Sequence, residues 1–365
     1  MSENAYKLLA QRLNELPNGY PPTEDGTELR LLSKLYTPEE AALASTLRIT
    51  LETPGEIVKR MGPSAQVEGV QETKKMLKGM ARKGLIKAGK TDHGMGFGLM
   101  PFVVGIYEMQ IGRIDEELAQ LFEDYHKQAF GNIVAIQPSF HRVVPIGESV
   151  RMDMEVRPYE SATEIVNQAQ SWGVMDCICR KQKALVGDPC DHPLDVCMVF
   201  SPVPNTFDHS TTIRALTHQE SLSTLNRAAK AGLVHSVSNN QEGNYYICNC
   251  CTCSCGLLRG MAELGLANVV ARSVFVNTVD SELCMGCEDC IDYCQFDALE
   301  LADALLMTVD PLRCVGCGVC VPACPENAMS LVRRPEEEIT PPPVTEQDWL
   351  KERAESRGID ISTVM

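Results

Sequence analysis

Near its C-terminus the chain reads Cys284-Met-Gly-Cys287-Glu-Asp-Cys290-Ile-Asp-Tyr-Cys294. Thirty residues on, the same C-x2-C-x2-C-x3-C spacing returns as Cys314-Val-Gly-Cys317-Gly-Val-Cys320-Val-Pro-Ala-Cys324, followed by Pro325. This internal repeat constrains the fold more than any other feature of the 365 residues. All 17 cysteines lie between Cys177 and Cys324, and none precedes Cys177. Disulfide scaffolds are short, secreted chains. An odd number of cysteines confined to part of a long chain indicates metal ligation instead.

The double motif resembles the bacterial two-cluster ferredoxins over residues 281–333. Three thiolates at i, i+3 and i+6 wrap a loop around one corner of a cubane, and loop glycines such as Gly286 and Gly316 let the backbone come close. The resemblance implies that the fourth cysteine of each repeat serves the other cluster. One [4Fe-4S] cluster then takes Cys284, Cys287, Cys290 and Cys324, and the other takes Cys314, Cys317, Cys320 and Cys294. The sequence departs from the pattern once, with Gln295 in place of the proline kept at Pro325. Proline is not a ligand, so ligation should survive. A pair of zinc ribbons is disfavoured, because tetrahedral zinc takes two separated C-x-x-C hairpins. Nine acids and one base, Arg313, lie between Glu282 and Glu326, a face suited to a basic redox partner.

Nine further cysteines lie upstream: Cys177, Cys179, Cys190, Cys197, Cys248, Cys250, Cys251, Cys253 and Cys255. In an extended segment Cys248 and Cys250 face one way, and Cys251, Cys253 and Cys255 the other. Such a strand could touch two centres. Tight turns could instead gather four of these thiols and leave one spare. One or two further [4Fe-4S] clusters are expected. The simplest partition gives Cys177, Cys179, Cys190 and Cys197 to one centre and four of the later five to the other, and a mixed partition is equally permitted. Zinc is the alternative occupant at one upstream site. A non-cubane catalytic cluster on adjacent Cys250-Cys251 is a further alternative. His192 is read as capping a turn or bonding a sulfur, with ligation as the alternative, and His235 is read alike. Arg180 either offsets cluster charge or forms a surface ion pair. The series C-x-C-R, C-x-H-P-x-x-x-C and C-N-C-C-x-C-x-C before a ferredoxin module is similar to multidomain 4Fe-4S proteins of anaerobic bacteria and archaea. That resemblance implies electron transfer within a larger redox system.

The rest of the chain predicts an α+β fold in five segments: 1–36 helical, 37–130 winged-helix-like, 131–275 a cysteine-rich α+β domain, 276–336 the two-cluster module, and 337–365 a Pro-rich linker with a terminal helix. Tyr6, Leu9, Leu13 and Leu16 line one helix face, and NGYPPTEDG after it reads as a loop. Thr37-Pro38-Glu39-Glu40 and Thr53-Pro54-Gly55-Glu56 are helix starts. A third helix is predicted over 67–82, then a hairpin from Leu85-Ile86 to Gly96–Met100. Three helices and a hairpin resemble a winged helix-turn-helix domain over roughly 37–105. Further helices are expected over 111–126, 161–172, 213–231 and 346–356, and a half-buried strand over 150–156. The glycine runs His93–Gly98 and Gly79–Gly84 lack the context or the Lys-Ser/Thr of a phosphate loop.

Seven basic residues between Gln71 and Asp92 (Lys74, Lys75, Lys78, Arg82, Lys83, Lys87 and Lys90) could touch phosphates. The formal net charge of −16 speaks against nucleic acid as a partner. No apolar run is long enough to span a bilayer, and the N-terminus lacks a secretory pattern, so no membrane insertion and a cytoplasmic setting are expected. The chain therefore reads as an electron-transfer component, more a part of an oxidoreductase complex than a stand-alone enzyme. Its partners are a redox protein or oxidoreductase subunits in an anaerobic pathway. The rivals are an oxidoreductase whose upstream cluster is catalytic, a redox-sensing winged-helix regulator, and a structural subunit that holds a partner enzyme.

Overall fold

The helix starts at Thr37 and Thr53 are reciprocal caps. Each threonine accepts the N–H of a glutamate three residues on, and that glutamate returns to the threonine N–H. The computed structural model describes residues 2–62, 69–151, 153–263, 269–302 and 305–365. It divides into two units. One runs from the N-terminus to Gln137 and includes Leu185–Gly187 and Leu350–Met365; the other comprises Pro138–Ala184 and Asp188–Trp349.

In the first unit, α1 (Ser2–Asn14) buries Leu9 and Leu13 as the periodicity requires. Helix α2 (Thr27–Leu35) follows the predicted loop and was not foreseen; it is short and is held by buried Leu31, Leu32 and Leu35. Next come α3 (Pro38–Ala44), α4 (Pro54–Met61) and α5 (Gly69–Arg82). The first two residues of the predicted 67–82 helix lie outside the described residues. Strands β1 (Lys87–Thr91) and β2 (Gly94–Gly98) form an antiparallel hairpin, and Glu52 adds a bridge to Phe97. The hairpin starts two residues later than expected, because Leu85 and Ile86 are buried in the bend after α5. Helix α6 (Glu116–Tyr125) starts five residues later than the periodicity suggested, where Asp115 caps it.

The second unit is built on a mixed sheet. In chain order its strands are β3 (His141–Val143), β4 (Ser171–Met175), β5 (Cys197–Ser201), β6 (Arg214–Leu216), β7 (Val234–Ser238), β8 (Tyr246–Cys250) and β9 (Val270–Ala271). Across the sheet the order is β6-β4-β5-β8-β7-β3-β9, antiparallel except for β3–β9. Helices α7 (Ala162–Gln168) and α9 (His218–Lys230) bury Ile165, Val166, Leu225 and Ala229 against Met198, Phe200, Val237 and Ile247 on one sheet face. Helix α8 (Ile178–Leu185) follows β4.

Three predictions in this unit need correction. The helix expected over 161–172 ends at Gln168, because Trp172 turns back to donate to the Val166 carbonyl at 2.8 Å and enters β4. The helix expected from Ile213 begins at His218, where Thr217 and Glu220 form a capping box, and Arg214–Leu216 is strand. The 150–156 strand is absent among the described residues, which omit Met152. Val150 only bridges Leu331, and Val150, Met154 and Val156 gain burial beside Phe275 and Leu331 without a ladder.

Two small antiparallel pairs make the C-terminal part of this unit: β10 (Phe275–Val279) with β13 (Met329–Arg333), and β11 (Leu299–Leu301) with β12 (Met307–Val309). Helix α10 covers Glu346–Ser356, as predicted. The fold is mixed α and β, as the sequence implied. No described helix is long and apolar enough to cross a membrane.

Candidate metal centres

The two C-terminal repeats fold alike. Asp280 N–H donates to the Ala328 carbonyl and Asp310 N–H to the Ala298 carbonyl, both at 2.8 Å. The two aspartate carbonyls then accept from Cys284 N–H at 3.0 Å and Cys314 N–H at 2.9 Å. Ala298 N–H reaches Cys294 Sγ, and Ala328 N–H reaches Cys324 Sγ, each at 3.3 Å. Gly316 has φ +70°, and a Cβ there would lie 2.0 Å from the Phe275 carbonyl oxygen. The loop can adopt this close approach only with glycine.

A small cavity is lined by Cys294, Cys314, Cys317 and Cys320, together with Phe296, Leu299 and Val309. These four thiols are one of the two quartets expected from the sequence. Burial pushes Cys317 up to about 12 and also raises Cys320 well above the ordinary thiol value. Buried thiols ionise together only around a cation, so the donor set fits an iron–sulfur cluster. The other quartet is also assembled: Cys290 has Cys324, Cys287 and Cys284 as its neighbours.

The quartets differ at one buried amide. Asn277 Nδ2 donates to Cys320 Sγ at 3.2 Å, whereas the position thirty residues on is Met307. A hydrogen bond to sulfur favours the more negative, reduced state. Asn277→Leu should therefore lower the potential at the Cys320 site by about 40 mV, the one-electron equivalent of about 1 kcal/mol. A redox titration followed by EPR measures this, and an unchanged midpoint would remove the assignment.

Upstream, the sheet sorts the nine cysteines. Met198 and Ile247 pair across β5 and β8 on the helix-covered face. Pleat alternation therefore sends Cys197, Cys248 and Cys250 to the opposite face. Cys177 and Cys179 follow the end of β4. The turn after β8, in which Cys255 N–H bonds the Cys251 carbonyl at 3.0 Å, brings Cys255 back against Cys179 and Cys250. Cys177, Cys179, Cys197, Cys248, Cys250 and Cys255 thus form one continuous group. Within it, the Cys179 thiol and burial raise Cys177, and the Cys197 and Cys250 thiols raise Cys248. Cys250 is lowered by the Cys248 and Cys255 thiols that donate to it.

The remaining three thiols sit elsewhere. Cys190, Cys251 and Cys253 meet His192, and the four ligand atoms all lie within 4.8 Å of one another. This is the mixed partition. Cys190 is not with Cys177, Cys179 and Cys197, and Cys255 does not follow Cys251 and Cys253. Adjacent Cys250 and Cys251 face different groups, so no single centre is built on the pair.

Arg180 is buried and lies between the groups. It donates to the Asn249 carbonyl at 3.1 and 3.2 Å and to Cys251 Sγ at 3.6 Å, so the surface ion pair is not its role. His235 is buried against the Asn249 side chain. Gln295, the departure from the ferredoxin pattern, accepts from Thr252 N–H at 2.7 Å and donates to the carbonyls of Gly232 and Cys250. Sequence reasoning missed this clasp and the Asn277 bond. The replaced proline was the only signal for the clasp.

A family model described as the 4Fe-4S dicluster domain matches residues 277–331. No curated protein and no solved structure matches the chain. The C-terminal module is thus a 4Fe-4S ferredoxin-type domain, and its role is iron–sulfur electron transfer.

Proposed function

We propose that the chain carries single electrons between two C-terminal [4Fe-4S] clusters and a third, polynuclear iron–sulfur centre held by Cys177, Cys179, Cys197, Cys248, Cys250 and Cys255. In this reading Cys284, Cys287, Cys290 and Cys324 hold one cubane, and Cys314, Cys317, Cys320 and Cys294 the other. Bound clusters supply reversible one-electron chemistry. The chain's part is to hold them in apolar surroundings, donate N–H groups to sulfur and fix their spacing.

The observation that carries the proposal is the Gln295 clasp. The residue after the ligand Cys294 is bonded to Thr252 and Cys250, which joins one C-terminal cluster's loop to the upstream thiols. The setting is an anaerobic redox system, and the partner is a redox protein or an oxidoreductase subunit that docks on the acidic module. The order α3, α4, α5, hairpin supports residues 37–105 as a winged-helix-like docking element. Six thiols exceed the four that a cubane needs, which favours a second reading in which the upstream centre is catalytic.

Iron and sulfide analysis of anaerobically purified chain should give more than the roughly eight irons of two cubanes. Dithionite EPR should then resolve more than two interacting centres. Gln295→Ala should leave the iron content unchanged and slow electron equilibration between module and upstream centre severalfold. Eight irons, or equilibration insensitive to Gln295, would end this reading.

A further inference from the structure

We propose that Cys190, His192, Cys251 and Cys253 bind a single tetrahedral zinc ion, separate from the iron–sulfur chain. The spacing decides between a mononuclear ion and a cubane. Zn–S bonds of about 2.3 Å in a tetrahedron place ligand atoms about 3.8 Å apart. In a cubane each thiolate binds its own iron, and the sulfurs stand about 6 Å apart. Here Cys190 Sγ and Cys251 Sγ are 4.0 Å apart, Cys253 Sγ and His192 Nδ1 are 3.7 Å apart, and all four atoms lie within 4.8 Å. Among the described residues this is the group of three or more such side chains gathered that tightly. The C-terminal quartet, by contrast, lines a cavity.

The ligand set is closed. Three cysteines and one histidine fill a tetrahedron and leave no open position, the pattern of structural rather than catalytic zinc. Binding releases three thiol protons, and the resulting centre, three thiolates with Zn²⁺ and neutral imidazole, carries one net negative charge. The Arg180 guanidinium, 3.6 Å from Cys251 Sγ, offsets it, and Ser254 Oγ lies 3.4 Å from Cys190 Sγ. Zinc has no accessible redox state. Its function is to pin the Asp188–Pro193 loop to the turn after β8, which fixes Cys250 in the neighbouring six-thiol group. The inference is independent of how electrons move through that group.

The test is metal analysis and zinc K-edge absorption on full-length chain purified anaerobically after growth with zinc. The expected result is about one zinc per chain, with three sulfurs near 2.3 Å and one nitrogen near 2.0 Å. In a Cys253→Ala, His192→Ala double variant, zinc should fall at least tenfold with iron unchanged. His192→Cys, which preserves a closed set, should keep the zinc and exchange the nitrogen for a fourth sulfur. Absence of zinc from the wild-type chain, mononuclear iron in its place, loss of about four irons in the double variant, or a nitrogen shell surviving in His192→Cys would each overturn the assignment.

Discussion

Cys320→Ala is expected to cost the chain about four irons and four sulfides, one full cluster. Cys320 is buried, shares the cavity with Cys294, Cys314 and Cys317, and receives the Asn277 amide. Alanine leaves one iron without its terminal thiolate, and a neutral Asn277 amide beside it is a far weaker ligand than a thiolate. The quartet of Cys284, Cys287, Cys290 and Cys324 keeps all its thiols, so one EPR signal should vanish and the other remain. Its loop is also Cys320's loop, so the surviving signal should be less stable to heating. Iron and sulfide analysis of the variant beside the wild type measures the effect. Equal iron in the two would disprove the quartet.

Stripping the metals should unfold the module and spare the sheet. The module's core contains Cys290 and Cys320 among Leu299 of β11, Met307 of β12 and Met329 of β13, with Cys284, Cys294 and Cys324 at its margin. Two two-stranded pairs are marginal without more to bury. The centre of the module is therefore the cluster site itself, and cluster binding is folding free energy, on the order of 10 kcal/mol by comparison with structural metal sites. The helix-covered face of the large sheet is different. Its core of Val144, Ile165, Val166, Phe200, Leu225 and Ile247 contains no cysteine. After anaerobic chelation, amide exchange should lose protection by orders of magnitude over 275–333, and much less in β5, β8 and α9. Uniform loss, or protection kept in the module, would contradict this.

The legible parts of the fold share one property: their cause is local. Thr37-Pro38 and Thr53-Pro54 started helices because the cap and its reciprocal glutamate lie within four residues. The β1–β2 hairpin and α10 were legible for the same reason. The strand misread at 150–156 meets β13 only at the Val150–Leu331 bridge, and among the described residues no ladder extends that contact. Trp172 left its predicted helix for a sheet whose other strands lie far along the sequence.

The sites divide in the same way. Both C-terminal quartets were legible as expectations, because three thiols of each fall within seven residues and the ferredoxin resemblance implies the fourth. By itself the sequence also showed that the seventeen thiols are segregated and spaced as metal ligands are, since segregation and spacing are facts of the chain alone. The partition of the upstream nine was not contained there. Alternation placed Cys248 and Cys250 together, but only the β5–β8 register brings Cys197 beside them, and only the following turn returns Cys255 to that group while Cys251 and Cys253 join Cys190 and His192. Ligand sets assembled from distant segments depend on strand register and turn geometry, which are set by packing over the whole unit, and neighbours in sequence such as Cys250 and Cys251 can therefore serve different centres.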